Sequence, residues 1–249
     1  MNRLLFGLII LLAANAAAAD TLRIAVAANF RHTLAEIASE FETVSTHRVI
    51  LSSASTGQHY AQIINGAPFE LFFAADSARP EALEQDGLAS GRFSYAGGRL
   101  ALCSTLESIP TDIGGWLDTA DIKWLAAGNP GLSPYGKAAV EVIQATGNTE
   151  RLADKLIRGE NIAQVYQFVM SGNATAGFIA ESQRRVAGQE AALSCVLVPA
   201  ALHQPIIQQA VILQDSEAAR EFMDFVHTPE VTTIISNAGY DVPEQEPLF

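Results

Sequence analysis

Between residues 22 and 87 the chain alternates three short apolar runs with three segments of helical spacing, an order that leaves few folds open. Residues 22–28 (LRIAVAA) read as a buried strand, and Asn29, a good helix cap, follows it. Leu34, Ile37 and Phe41 then recur at the spacing of one helix face. A second strand over 49–51 passes through small residues 52–55 into a helix opened by Thr56 and Gly57 and closed by NGAP at 65–68. A third strand over 69–75 leads through Asp76, read as a local cap, into a helix that starts at Pro80 and ends near Gly87. Strands joined by helices in this way pair in parallel through right-handed crossovers.

The pattern restarts further on. Residues 99–103 read as a strand, 124–130 end another in a loop, and SPYG at 133–136 opens a helix over 137–146. A helix over 162–170 follows Gly159 to Asn161, and short buried strands lie at 176–179 and 195–198. Residues 205–213 form a strand long enough to pass between lobes, and helices over 216–226 and 229–238 close the chain, with Gly239 as a stop. The expected fold is α/β in two lobes joined by two crossings, near 97–101 and 205–213. The first lobe takes 20–98 with 212–249, and the second takes 99–211. Ligands of such sheets bind beyond the carboxyl ends of the strands. That edge presents Asn29 and Thr56 from one lobe, facing Tyr135 and Ile162 from the other.

Residues 1–19 carry Arg3, an apolar run over 4–12 and an alanine-rich end before Asp20, the pattern of a cleaved secretory signal peptide. An exported protein is therefore expected. Twenty-seven acidic residues against 15 basic ones give a formal charge of −12, and loss of Arg3 with the leader makes it more negative. Such a surface argues against nucleic acid or an anionic membrane as partner. Cys103 and Cys195 are the 2 cysteines of the chain. In an oxidising compartment they can form one disulfide; the alternative is two thiols buried in apolar strands.

The run SSASTG at 52–57 has two readings. It is an ordinary N-cap, or it is an anion site, since the first N–H groups of a helix lack intrahelical partners and the helix dipole is positive there.

Several stretches resemble the periplasmic molybdate-binding proteins of ABC importers. These are AANF at 27–30, SASTG at 53–57 with YAQI at 60–63, NGAPF at 65–69 and LFFAAD at 71–76. The likeness continues through GNP at 128–130, PYG at 134–136, AGF at 176–178, PIIQ at 205–208 and GY at 239–240. NGAP followed by a strand ending in Ala-Asp is its most diagnostic pair. The resemblance implies a two-lobed type II periplasmic binding fold, each lobe a mixed, mainly parallel sheet flanked by helices, closing on a tetrahedral oxyanion. It implies a monomer that delivers molybdate, or tungstate, to membrane permease subunits, with no enzymatic step and no cofactor. By position, Asn29 and Thr56 stand where the family has serines, and Tyr135 and Ile162 where backbone N–H groups meet the anion. Ala28 and Ser55 flank the first pair. Asn29, Tyr135 and Ala180 differ from the commonest pattern and resemble a variant subgroup in which an amide and a differently placed tyrosine supply donors.

An anion of this kind offers only acceptors, so its pocket needs donors: the Asn29 amide, the Thr56 hydroxyl and N–H groups at four helix starts. Hydrogen bonds to a charged group contribute roughly 1.5–3 kcal/mol each, and with the helix dipoles several of them offset the loss of hydration without a lysine or arginine. Neither 27–30 nor 53–57 contains a cation, and Arg31 is expected to turn outward. His32 and His59 lie one turn into the two helices and are expected at the surface. Sulfate, phosphate and ferric iron are the alternative ligands, although iron requires a carboxylate, tyrosine and histidine cluster that these helix starts lack. No Gly-x-Ser-x-Gly elbow or metal-ligand spacing points to an enzyme.

Overall fold

The computed structural model describes residues 20–106, 108–186 and 193–243; the leader read from residues 1–19 lies outside the described residues. The first half runs β1 (Thr21–Ala27), α1 (Arg31–Val44), β2 (Arg48–Ala54), α2 (Thr56–Ile64), β3 (Leu71–Ala74), α3 (Ala78–Gln85) and β4 (Ser90–Gly98). After Arg99 come β5 (Leu100–Ser104), α4 (Ile113–Thr119), β6 (Leu125–Gly128), α5 (Pro134–Ala145) and α6 (Thr149–Leu152). The chain continues with β7 (Leu156–Gly159), α7 (Ile162–Met170), β8 (Ala176–Ala180), α8 (Glu181–Arg184) and β9 (Ser194–Leu197). It closes with β10 (Ile206–Ile212), α9 (Glu217–Val226) and α10 (Pro229–Asn237).

Two five-stranded sheets result, ordered β2-β1-β3-β10-β4 and β7-β6-β8-β5-β9. Each is mixed in the same way. β1 lies parallel to β2 and β3, and β6 parallel to β7 and β8, while β10 and β5 run antiparallel to both of their neighbours. The pairing corrects the expected change of lobe at 211/212. β10 pairs with β3 and β4 of the first sheet from Ile206 onward, so the chain changes sheet between Leu197 and Ile206. The strand expected to pass between the lobes is hydrogen-bonded along its whole length to the first sheet alone, with only Ile206 at its start packing into the core of the second lobe. The other crossing falls at Arg99, between β4 and β5. Asp241 returns to Gly97 in a two-way backbone bridge, so the C-terminal segment braces that crossing.

Burial follows the strand pattern. β3 and the second half of β1 (residues 24–27) are apolar on both faces, as strand segments covered on both sides must be. Phe30, Phe72, Phe73 and Phe222 are fully buried in the first lobe, each contributing about 1.5–3 kcal/mol. Phe30 fixes the start of α1 by packing on Phe73, Tyr95 and the edge of Tyr240. The second lobe has its own core around β5, β6 and β8, and Cys103 faces Cys195 across β5 and β9, joined by a disulfide.

His59 departs from the surface position expected of it. It is 0 % exposed, wedged by Phe69 and Phe72, with Nε2 at 3.2 Å from the Val26 carbonyl. Burial lowers its pKa, so the ring is neutral. His32 and Arg31 are exposed.

Candidate functional site

Four helices begin around one small recess between the two sheets. The first lobe lines it with Asn29, Ser55 and Thr56, backed by Ala27, Ala28 and Ala75; the second contributes Ser133, Pro134, Tyr135, Asn161 and Ile162. The sequence produces these helix starts locally. Ser55 caps α2 with a capping box, its Oγ accepting the Gln58 N–H while the Gln58 side chain accepts the Ser55 N–H. Ser133 caps α5, where Pro134 takes a first-turn position that needs no N–H, and Asn161 caps α7 through the Gln164 N–H. α1 has no side-chain cap; Phe30 turns back to the Ala27 carbonyl instead.

The donors left at this recess define what it can bind. None of the hydrogen bonds among the described residues is donated by the N–H of Asn29, Thr56, Tyr135 or Ile162, two groups from each lobe. The Thr56 hydroxyl accepts from the Ala75 N–H at 3.0 Å, which leaves its own hydrogen to donate. Ser133 Oγ likewise accepts from the Gly136 N–H at 3.3 Å and keeps its hydrogen. Among the described residues no charged side chain lines the recess. A buried cluster of N–H and O–H groups without acceptors matches a ligand made of acceptors.

Six residues singled out from sequence, Ala28, Asn29, Ser55, Thr56, Tyr135 and Ile162, line this one recess, in three different ways. Thr56, Tyr135 and Ile162 bring donors to it. Ala28 brings only bulk, since its N–H is bonded to the Ala54 carbonyl, and Ser55 is occupied as a cap, its hydroxyl 2.9 Å from Gln58 Oε1. The expectation for Asn29 needs correcting. Its side-chain amide donates to Gln208 Oε1 (2.8 Å) and to the Tyr240 hydroxyl (3.2 Å), so both amide hydrogens are used inside the protein and the backbone N–H is the donor left over. Sequence reasoning passed over Ser133 and Asn161 as site residues, although the same cap pattern that marked Ser55 and Thr56 marks them.

Behind the recess lies a buried polar network. Gln208 Nε2 donates to the Tyr135 hydroxyl at 3.2 Å, and Gln208 Oε1 also lies 3.0 Å from the Tyr95 hydroxyl. The Tyr240 hydroxyl donates to the Asn29 carbonyl at 2.8 Å, and Ser182 of the second lobe donates to the same carbonyl at 3.1 Å. Burial pushes the phenols of Tyr95, Tyr135 and Tyr240 well up, so all three stay neutral.

At the outer lip the lobes touch through backbone and side chains. The Gly57 N–H donates to the Leu132 carbonyl at 2.9 Å, Arg79 Nη2 donates to the Gly131 carbonyl at 2.8 Å, and Gln58 Nε2 donates to Glu160 at 3.2 Å. Arg79 is itself held by Asp76, which caps the Arg79 N–H as expected and pairs with its guanidinium.

Two lobes closed over a recess that supplies donors from four helix starts define a solute-binding protein. The chain belongs to the bacterial extracellular solute-binding proteins, whose family model matches residues 22–241. It is 44% identical over 245 residues to the molybdate-binding protein ModA of Azotobacter vinelandii, covering 96% of this chain and 97% of that one. It is 42% identical over 229 residues to ModA of Rhodobacter capsulatus, covering 90% and 89%. The solved structure of the Azotobacter vinelandii periplasmic molybdate-binding protein matches it with a TM-score of 0.85 at 35% identity, covering 90% of this chain and 100% of that one.

Proposed function

We propose that this chain is the periplasmic receptor of an ABC importer, a monomer that captures molybdate, or tungstate, and releases it to the membrane permease without performing chemistry and without a cofactor. The observation that carries this reading is the set of four unbonded N–H groups, two from each lobe, together with the free hydrogens of Thr56 and Ser133 at one recess. The names of the relatives at 44% and 42% identity support molybdate as the anion. A ferric site would need carboxylate, phenolate and imidazole ligands, and this recess offers hydrogen-bond donors in their place. Neutral donors suit an acidic protein, since they act on the anion at contact distance, whereas the repulsion of the surface charge acts over longer distances at which salt screens it.

The test is a titration followed by intrinsic fluorescence with molybdate, tungstate, sulfate and phosphate. Molybdate and tungstate are expected to bind at least about a hundredfold more tightly than the other two, a difference of about 2.7 kcal/mol. Equal responses to sulfate and molybdate would overturn the assignment.

Closure is a hinge motion at the two crossings in this reading, and Gly57 is where it is most sensitive. A Cβ on Gly57 would come 2.9 Å from Leu132 Cα and 3.2 Å from Leu132 Cδ2, across the lobe boundary. Overpacking of this kind costs about 1–3 kcal/mol. Gly57→Ala is therefore expected to weaken molybdate binding by about tenfold or more while leaving the melting temperature of the free protein within a degree or two. Calorimetric titration and thermal unfolding measure the two effects; an unaltered affinity would mean that the lip does not close on the ligand.

A further inference from the structure

We propose that Gln208, a residue outside the recess, is a positioning residue for the anion: its side-chain amide fixes the start of α1 and the start of α5 at the separation the bound oxyanion requires. This inference rests on the oxyanion-binding reading above and names a determinant of it.

Gln208 is 0 % exposed, in the middle of β10, on the face it shares with Ile206 and Ala210. An apolar side chain would continue that face. A buried amide is costly unless its polar atoms are met, and this one is met on both sides. Its Oε1 accepts from Asn29 Nδ2 at 2.8 Å, and its Nε2 donates to the Tyr135 hydroxyl at 3.2 Å. Asn29 belongs to the first lobe and Tyr135 to the second, and their unbonded backbone N–H groups both stand at the recess. One amide thus sets the distance between a donor of each lobe.

The surroundings are built for this link. The β4–β10 register shifts between Gln208 and Gln209, so that Ala96 and Ser94 pair with them and Tyr95 is the extra residue, its hydroxyl 3.0 Å from Gln208 Oε1. A Cβ on Gly98, the last residue before the crossing, would fall 2.5 Å from the Tyr135 hydroxyl and 2.8 Å from Gln208 Nε2. The phenol of the second lobe therefore crosses the hinge through space that only glycine leaves. The titratable groups facing the amide are the phenols of Tyr95, Tyr135 and Tyr240, with Asp76 and Asp241 the carboxylates that act on them electrostatically.

Gln208→Glu and Gln208→Leu, titrated with molybdate by calorimetry between pH 8 and pH 5.5 beside the wild type, test the idea. A protonated carboxyl reproduces one donor and one acceptor of the amide, whereas a carboxylate has no donor for Tyr135 and repels a dianion. Gln208→Glu is expected to bind at least about tenfold more weakly than wild type at pH 8 and to recover most of the difference as the pH falls, since burial holds the new carboxyl protonated at the acidic end. Gln208→Leu is expected to bind weakly at every pH. Parallel pH profiles for Gln208→Glu and wild type, or wild-type affinity in Gln208→Leu, would overturn the proposal. If Gln208→Leu does not fold, Tyr135→Phe replaces it, because it removes the hydroxyl and keeps the N–H. It is expected to weaken binding by about two- to tenfold, and unchanged affinity would overturn the proposal equally. A wild type that binds none of molybdate, tungstate, sulfate or phosphate would instead remove the functional reading itself, and this inference with it.

Discussion

Thr56→Val is expected to weaken molybdate binding by about ten- to a hundredfold, since a hydrogen bond to a charged acceptor contributes roughly 1.5–3 kcal/mol. The replacement keeps the shape of the side chain and removes only its oxygen. Thr56 Oγ1 has two tasks in this structure: it accepts the Ala75 N–H at 3.0 Å and retains one hydrogen for the recess. Valine therefore also leaves a buried N–H without an acceptor, at about 1–3 kcal/mol of folding stability. Thr56→Ser keeps both tasks and is expected to bind within a few-fold of wild type. Titration calorimetry on the pair, with denaturant unfolding beside it, separates the two contributions. Wild-type affinity in the valine variant would remove Thr56 from the anion's contacts.

Loss of the Cys103–Cys195 disulfide has the largest expected effect on stability. The bond closes a sequence separation of 92 residues, a loop that carries Ser133, Tyr135 and Ile162 and most of the second lobe. In the chain-entropy model a loop of this length stabilises by about 4–5 kcal/mol through the unfolded state. Cys103→Ala combined with Cys195→Ala is expected to lower the unfolding free energy by about that amount. Molybdate affinity should stay close to wild type under conditions where the variant is folded, because neither cysteine lines the recess. Urea unfolding of the two proteins gives the comparison. A loss below about 1 kcal/mol would mean that the unfolded chain gains little freedom when the link is removed.

Much of the recess could be read from the sequence because its donors are local features. A cap residue followed by helical periodicity, at the end of an apolar strand, determines where unpaired N–H groups will be, and Ser55, Ser133 and Asn161 each carry that signature. The role of Asn29 was not legible in this way. Its residue type suits a cap or a ligand donor equally, and the choice was made by Gln208 and Tyr240, 179 and 211 positions away. β4 was hidden for a related reason. Its sequence, with glycine at 91, 97 and 98, has little strand preference of its own, and it becomes a strand by pairing with β10. His59 sits at a position where a helix surface and a core look alike until Phe69 and Phe72 close over it.

Strand–helix alternation and caps by themselves determined a two-lobed α/β chain whose helix starts follow the carboxyl ends of its strands, because each of these is decided within a few residues. Only the tertiary structure decided where the chain changes sheet, which donors stay free and which are consumed, and that a glutamine in β10 ties the lobes together behind the recess. The physical reason is that hydrogen-bond donors are few and each is used once: which partner takes a donor depends on groups far apart in sequence, and only the folded chain brings them within hydrogen-bond distance.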